Sequence, residues 1–330
     1  MKRRGGGLKR RDLVAGLAAA SLVPARVLAQ SQPKMLRVGW VSILPKTMPF
    51  YAPFAKRMTE LGYEEGKNFA WDYVEVKSYE DYQPAYAELV RKKADVFVAP
   101  GNEASLRGAV AAVGSLPIVM IAIDFDPIEK GYVKSLARPG GNVTGLFVRQ
   151  IEMAVKRVEL AREALPKEHA LDFWWDTASR DQAEAAAAAS RNLGFEPRLV
   201  EVSGQPPDYA AAIEQMAETP GRPIMLGASP IYLRDRAGFM PGLVARRIPV
   251  IAAFRELVEA GALMSYGIDL ISLFRDLAGY VDRIAKGAHP AELPVAQPTH
   301  FDTAINLTTA GSLGIALPPS LSIRADEVIE

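Results

Sequence analysis

The sequence predicts an α/β fold made of two Rossmann-like lobes, each a parallel sheet wrapped by helices. Three observations carry this reading. Short apolar runs alternate with helix-period segments from Met35 onward, and the alternation restarts after Ile123. The 330 residues are also enough for two lobes of roughly 100 to 150 residues, each burying its own core.

LRVGWVS (36–42) reads as the first strand. Phe50, Phe54, Met58 and Leu61 then share one face of a helix that Gly62 stops. FAWDYVEV, ADVFVAP and PIVMIAI continue as strands, separated by helices over 79–92 and 104–114, and the first series ends near Ile123. ARPGGNVTGLF (137–147) suits either a phosphate cradle or a passage between lobes. The cradle fails on chemistry. The spacing is not Gly-x-Gly-x-x-Gly, and no helix begins directly afterwards to aim its dipole at a pyrophosphate. A glycine-permitted reversal entering a strand fits better. GYEEGKN (62–68) is likewise one residue short of a phosphate loop and follows a helix where such a loop follows a strand, so it reads as a helix stop and turn. The second series runs from a helix carrying Ile151, Val155, Val158 and Leu165 to the strand LDFWWD. An alanine-rich helix over 178–192 and the strands FEPRLVEV, PIMLGA and PVIAAF follow. The helix over 269–286 has a wide apolar stripe (Leu270, Leu273, Phe274, Leu277, Val281, Ile284) and comes late enough to return to the first lobe.

Composition narrows the function. Lys9-Arg10-Arg11, the apolar run Leu13–Val23 and the small-residue pattern ending at Ala29 have the order of a cleavable secretory signal over residues 1–29. The run is too short to cross a bilayer. Arg10-Arg11 with Leu13 resembles the twin-arginine variety; Asp12 and the lack of a following Phe leave ordinary secretion open. Setting the leader's seven basic residues and one acidic residue aside from 39 and 38 leaves 32 against 37, net −5. That offers no footprint for nucleic acid. Cysteine is absent, and the three histidines stand singly, so no metal site and no cofactor are expected. The simplest compartment is a bacterial periplasm.

Ligands of open parallel sheets gather at strand carboxyl ends, and the candidate residues follow from that. Asp124 sits just past a buried strand, where it could grip an amine or hydroxyl. Asp126 could do the same, or could cap a helix with Pro127 and Glu129 at its first and third positions. Alternation sends Trp174 and Trp175 to opposite faces; one is core, and Trp175 is the candidate for closing over a planar ligand. Phe254 and Tyr266 also lie at strand ends, where cleft and helix-start roles compete. No Gly-x-Ser-x-Gly elbow or His-Glu-x-x-His pair is present.

Together ELGYEEGKN, SLARPGGNVTGL, FRELVEAGALMSYGIDL, LPVAQPTHFDTAINL and PPSLSIRADEVIE resemble the tryptophan/tyrosine-type substrate-binding proteins of ABC transporters, from about Leu36 to Glu330. The resemblance implies a type I periplasmic-binding fold with three crossovers, a small organic solute trapped between closing lobes, and delivery to an inner-membrane ABC permease and its ATPase. It implies lobes of 35–146 plus 268–292 and 147–267 plus 293–330, with cleft loops at Ser42, Gly101-Asn102, Asp126-Pro127, Trp175-Asp176, Ser229 and Tyr266-Gly267. The chain departs from the family pattern at Gly101-Asn102-Glu103, at Trp175-Asp176-Thr177 and at Ala228-Ser229-Pro230, which lacks a frequent aspartate. These departures bear on the ligand and leave the fold alone. A monomer is expected. The alternatives are a periplasmic enzyme using Asp124 or Asp176 as acid or base, and a ligand-sensing partner of a membrane receptor. Export predicts that the mature chain begins at Gln30, which N-terminal sequencing reads directly; an intact Met1 on soluble cytoplasmic material would refute it.

Overall fold

The computed structural model describes residues 35–330 except 124, 203, 205 and 218–220. The expected leader and Asp124 therefore lie outside the described residues. The first sheet contains β1 (Leu36–Ser42), β2 (Phe69–Glu75), β3 (Val96–Gly101), β4 (Ile118–Ala122) and β5 (Val143–Phe147) in the order β2-β1-β3-β4-β5, all parallel. Helices α1 (Ala52–Glu60), α2 (Tyr82–Arg91) and α3 (Glu103–Val113) connect its strands. A short 3-10 turn over Pro49–Tyr51 leads into α1, and Gly62, at φ +93°, follows its last residues.

The chain then crosses to a second sheet. Helix α4 (Gln150–Ala164) precedes β6 (Ala170–Trp175), α5 (Arg180–Asn192), β7 (Glu196–Glu201), α6 (Tyr209–Ala217) and β8 (Ile224–Leu226). Next come α7 (Pro230–Ala245), β9 (Val250–Ala252), α8 (Arg255–Glu259) and β10 (Met264–Ile268). A second crossing delivers α9 (Leu270–Ala285) to the first sheet, where it packs on α1 and against β3, β4 and β5. Asp269 caps α9 by accepting from the amides of Ile271 (2.8 Å) and Ser272 (3.1 Å). Phe274 of α9 stacks on Phe50 at 5.2 Å and on Trp40 at 5.8 Å, so the apolar stripe closes an aromatic cluster over β1.

The third crossing carries the chain back to β11 (Phe301–Asn306), α10 (Leu307–Leu313), α11 (Pro319–Arg324) and β12 (Glu327–Ile329). The second sheet has the order β12-β11-β10-β9-β8-β6-β7. It is not wholly parallel, as the sequence reading had it, because β11 runs antiparallel to β10. The cause is the return route: His300 C=O accepts from Asp269 N–H beside the end of β10, so the chain re-enters there and must run backwards. Before crossing, Ala296 still pairs with β5, giving its amide to Gly145 C=O at 3.0 Å and accepting from Phe147 N–H at 2.9 Å.

This edge explains the glycines of 137–147. Gly140, at φ +74°, turns the chain and donates to Ala291 C=O. Gly145, at φ +134°, lies in β5 so close to β4 that a Cβ would sit 2.1 Å from Met120 O. No L side chain fits there. Gly145→Ala should lower the unfolding free energy by at least about 2 kcal/mol in denaturant titration, whereas Gly141→Ala, which meets nothing within 4 Å, should be nearly neutral. Equal stabilities would remove the close-approach argument.

Candidate functional site

Both sheets reverse their strand order next to their first strand: β1 lies between β2 and β3, and β6 between β7 and β8. Such switch points leave a crevice at the strand carboxyl ends, and here the two crevices face each other. Residues 35–330 form one compact unit, and the lobes touch along this seam. Arg236 on α7 approaches Met48 Sδ at 3.9 Å, and a Cβ on Gly101 would be 3.2 Å from Pro230 Cγ.

Near the crossovers the seam is tightly filled. Ser42, Gly101, Phe254, Phe50, Tyr82 and Phe274 surround a residual space of only about 30 Å³. Ser42 shares a hydrogen bond with Tyr51 OH at 3.1 Å and accepts from Leu44 N–H. Burial pushes the Tyr51 phenol up to about 12, against the opposing pull of the Ser42 hydroxyl. Asn102 caps α3, its Oδ1 accepting from Ser105 N–H at 3.0 Å; its buried Nδ2 has no partner.

Farther out, past the ends of β2, β6 and β7, the seam opens into a cavity of about 710 Å³ walled by both lobes. Ile43, Val76 and Tyr79 come from the first lobe, and Asp176, Val202 and Ile231 from the second. Asp176 is only 5% exposed. Its Oδ1 accepts from Ser179 Oγ at 2.6 Å, and its Oδ2 accepts from Ser229 Oγ at 2.8 Å and, across the seam, from Tyr79 OH at 3.3 Å. Ser229 stands at the N-cap of α7, but its hydroxyl serves Asp176 and makes no cap bond. At the mouth, Arg234 is gripped by Asp235 at 2.6 and 2.8 Å.

The structure thus joins Asp176 to Ser229 and gathers Ser42, Gly101 and Phe254 around the inner seam, with Asn102 buried beside Gly101. Three other candidates stand apart. Asp126 caps its own turn, accepting from Ile128 N–H (2.7 Å) and Glu129 N–H (3.2 Å). The expected helix stops after one turn, because the amides of Tyr132 and Val133 fold back onto Pro127 C=O. Tyr266 stacks on Phe301, and its carbonyl accepts from the buried Arg157 at 3.1 Å. Trp175 does not line either cavity. Trp174 is wholly buried beside Phe239, while half-buried Trp175 packs on the α4/α5 side with Arg180 over its ring. Both faces of β6 are covered by helices, so only the residue past the strand, Asp176, reaches the cleft. Sequence reasoning missed Tyr79 and Glu75; the signal was the polar residues Glu75, Lys77 and Ser78 at and just past the carboxyl end of β2.

A family model described as ABC transporter substrate binding protein matches residues 49–329. The chain belongs to that family. This substrate-binding protein is 25% identical over 269 residues to a tyrosine-binding protein of Clostridioides difficile, covering 79% of this chain and 75% of that one. Among solved structures, an ABC domain in complex with L-Trp from Streptococcus pneumoniae aligns with a TM-score of 0.80 at 24% identity, covering 90% of this chain and 100% of the other. A conserved domain protein from Vibrio cholerae aligns at 0.79 with 26% identity, covering 89% and 100%. The type I periplasmic-binding fold and the solute-binding role rest on these matches, which lend nothing to the enzymatic alternative. Among the described residues no helix is long and apolar enough to cross a membrane.

Trp175→Ala should cost about 2 kcal/mol of fold stability, because the ring supports the second core, and should leave solute affinity within about twofold. Thermal melts and calorimetric titration read both. Lost affinity with an unchanged melt would return the ring to the cleft.

Proposed function

We propose that this substrate-binding protein works outside the cytoplasmic membrane as an exported monomer. It traps one small organic solute, about the size of an aromatic amino acid, in the outer interlobe cavity and presents its closed form to an ABC permease with its ATPase. The observation that carries the reading is the 710 Å³ cavity, built from both lobes and bridged by the Tyr79–Asp176 hydrogen bond. That volume falls in the range of sites for small organic molecules. The relatives' tyrosine and tryptophan support an aromatic body for the solute, and the leader pattern supports export.

Mechanistically, a solute that touches Tyr79 and Val76 on one lobe and Asp176 and Ile231 on the other meets all four only when the lobes are together. It therefore shifts the population toward closure by its differential affinity. Asp176, Ser229 and Tyr79 supply the polar contacts of this site; Ser42, Gly101, Asn102 and Phe254 form the seam against which the lobes seat.

A thermal-shift panel of amino acids, aromatic acids, amines, purines and small carboxylates tests the reading. A bound solute at 100 times its dissociation constant should stabilise the protein by about 2.7 kcal/mol. Small-angle scattering should then show a more compact particle with unchanged helix content. No stabilisation by any compound, or chemical conversion of a bound one, would overturn the proposal.

A further inference from the structure

The charge of the cavity wall deepens that reading and rests on it. Asp176 is a buried carboxylate facing the cavity, and among the described residues no ammonium or guanidinium lies within ion-pair distance of it. Its three partners are neutral hydroxyls. A carboxylate offers about four acceptor sites, so one direction, on Oδ1, remains for a donor that the described residues do not supply. The rest of the wall does not make up the missing positive charge. Glu75 and Glu201 add two exposed carboxylates, and Lys77 is exposed at the rim. Arg234 is held by Asp235, which also accepts from Tyr209 OH at 2.9 Å, and Arg180 is held by Glu184 at 2.8 Å. Ile43, Val76, Val202 and Ile231 make the remaining surface apolar.

A buried charge is costly unless it is paired. In a cleft that opens and closes, the pairing can come from the cargo. We infer that Asp176 is the anchor for a protonated nitrogen of the solute, and that this protein selects apolar solutes carrying a cationic amine over those carrying only a carboxylate. The ammonium then takes the remaining acceptor site, on Oδ1, of the same carboxylate that Tyr79 reaches through Oδ2, which couples recognition of the charge to the contact that spans the lobes. The same arrangement disfavours an aromatic acid, whose carboxylate would meet Glu75, Glu201 and Asp176 with one exposed lysine to offset them.

Matched series decide it on the wild-type chain: tyramine, tyrosine and 4-hydroxyphenylacetate, and tryptamine, tryptophan and indole-3-acetate, by calorimetric titration. Binding of the amine-bearing members with the acids at least about tenfold weaker is the expected result, the size of one charged hydrogen bond. Acids binding as well as amines would overturn the inference while leaving solute binding intact. If neither series binds, the charge of whichever solute the thermal panel finds decides: a cation supports the assignment, and a neutral or anionic solute refutes it. No binding at all falls on the proposed function itself. Asp176→Asn, which keeps the shape and can keep the hydroxyl contacts, should weaken the amine about tenfold to a hundredfold and shrink the preference over the acid, with little change in the melt. An unchanged preference in a folded Asp176→Asn chain would also refute the assignment. The wild-type series stands whether or not that variant folds.

Discussion

Strands β1 to β5 all run one way, and so do β6 to β10. Parallel pairing places every carboxyl end on one edge of its sheet and buries both faces under helices. Polar groups therefore have one place to collect, and the cleft exists where two such edges meet. Ser42, Gly101 and Asn102 stand on one edge, Asp176, Ser229 and Phe254 on the other. Side chains inside the strands go to the cores instead. Along β6, Leu171 and Phe173 enter one core and Trp174 the other.

That constraint also separates what the sequence made legible from what it did not. Strands β1 to β9 and helices α1 to α5 and α9 came through because their apolar periods differ, and the reversal at 139–145 came through because glycine chemistry ruled out a phosphate cradle; helices α6 to α8, α10 and α11 were not placed. Strands β11 and β12 were not expected. FDTAIN begins with an exposed Phe301 followed by the polar Asp302 and Thr303, and EVI is only three residues at a sheet edge, so neither shows the buried run of a central strand. At the site, Asp176, Ser229, Ser42, Gly101 and Phe254 were readable as strand-end residues. Trp175 packs on a helix-covered face of β6, a placement alternation could not give because it names two faces and says nothing of the edge. Tyr79 was unreadable as a cleft residue, since its role depends on a carboxylate 97 positions away.

The seam has two chemical halves. Toward the crossovers it is filled with aromatic and aliphatic side chains that leave almost no space, which suits surfaces that seat against each other. Outward it is spacious and acidic, with a carboxylate held by hydroxyls. Hydroxyl partners satisfy Asp176 without neutralising it. Replacing one of them by a lysine would give a quieter, better-paired cleft with nothing left to offer a guest.

Helix α9 has a further consequence for how the chain is made. The first lobe's last strand ends at Phe147, but the helix that covers Trp40 and Phe50 starts at Leu270, after the five parallel strands of the second lobe. A nascent chain that has emerged only through β9 carries that aromatic cluster without its lid. The amino-terminal part, although synthesised first, is finished late, and its closure waits on contacts of large sequence separation that form slowly. Until α9 arrives, the front end of the chain cannot complete its core, however early it was made.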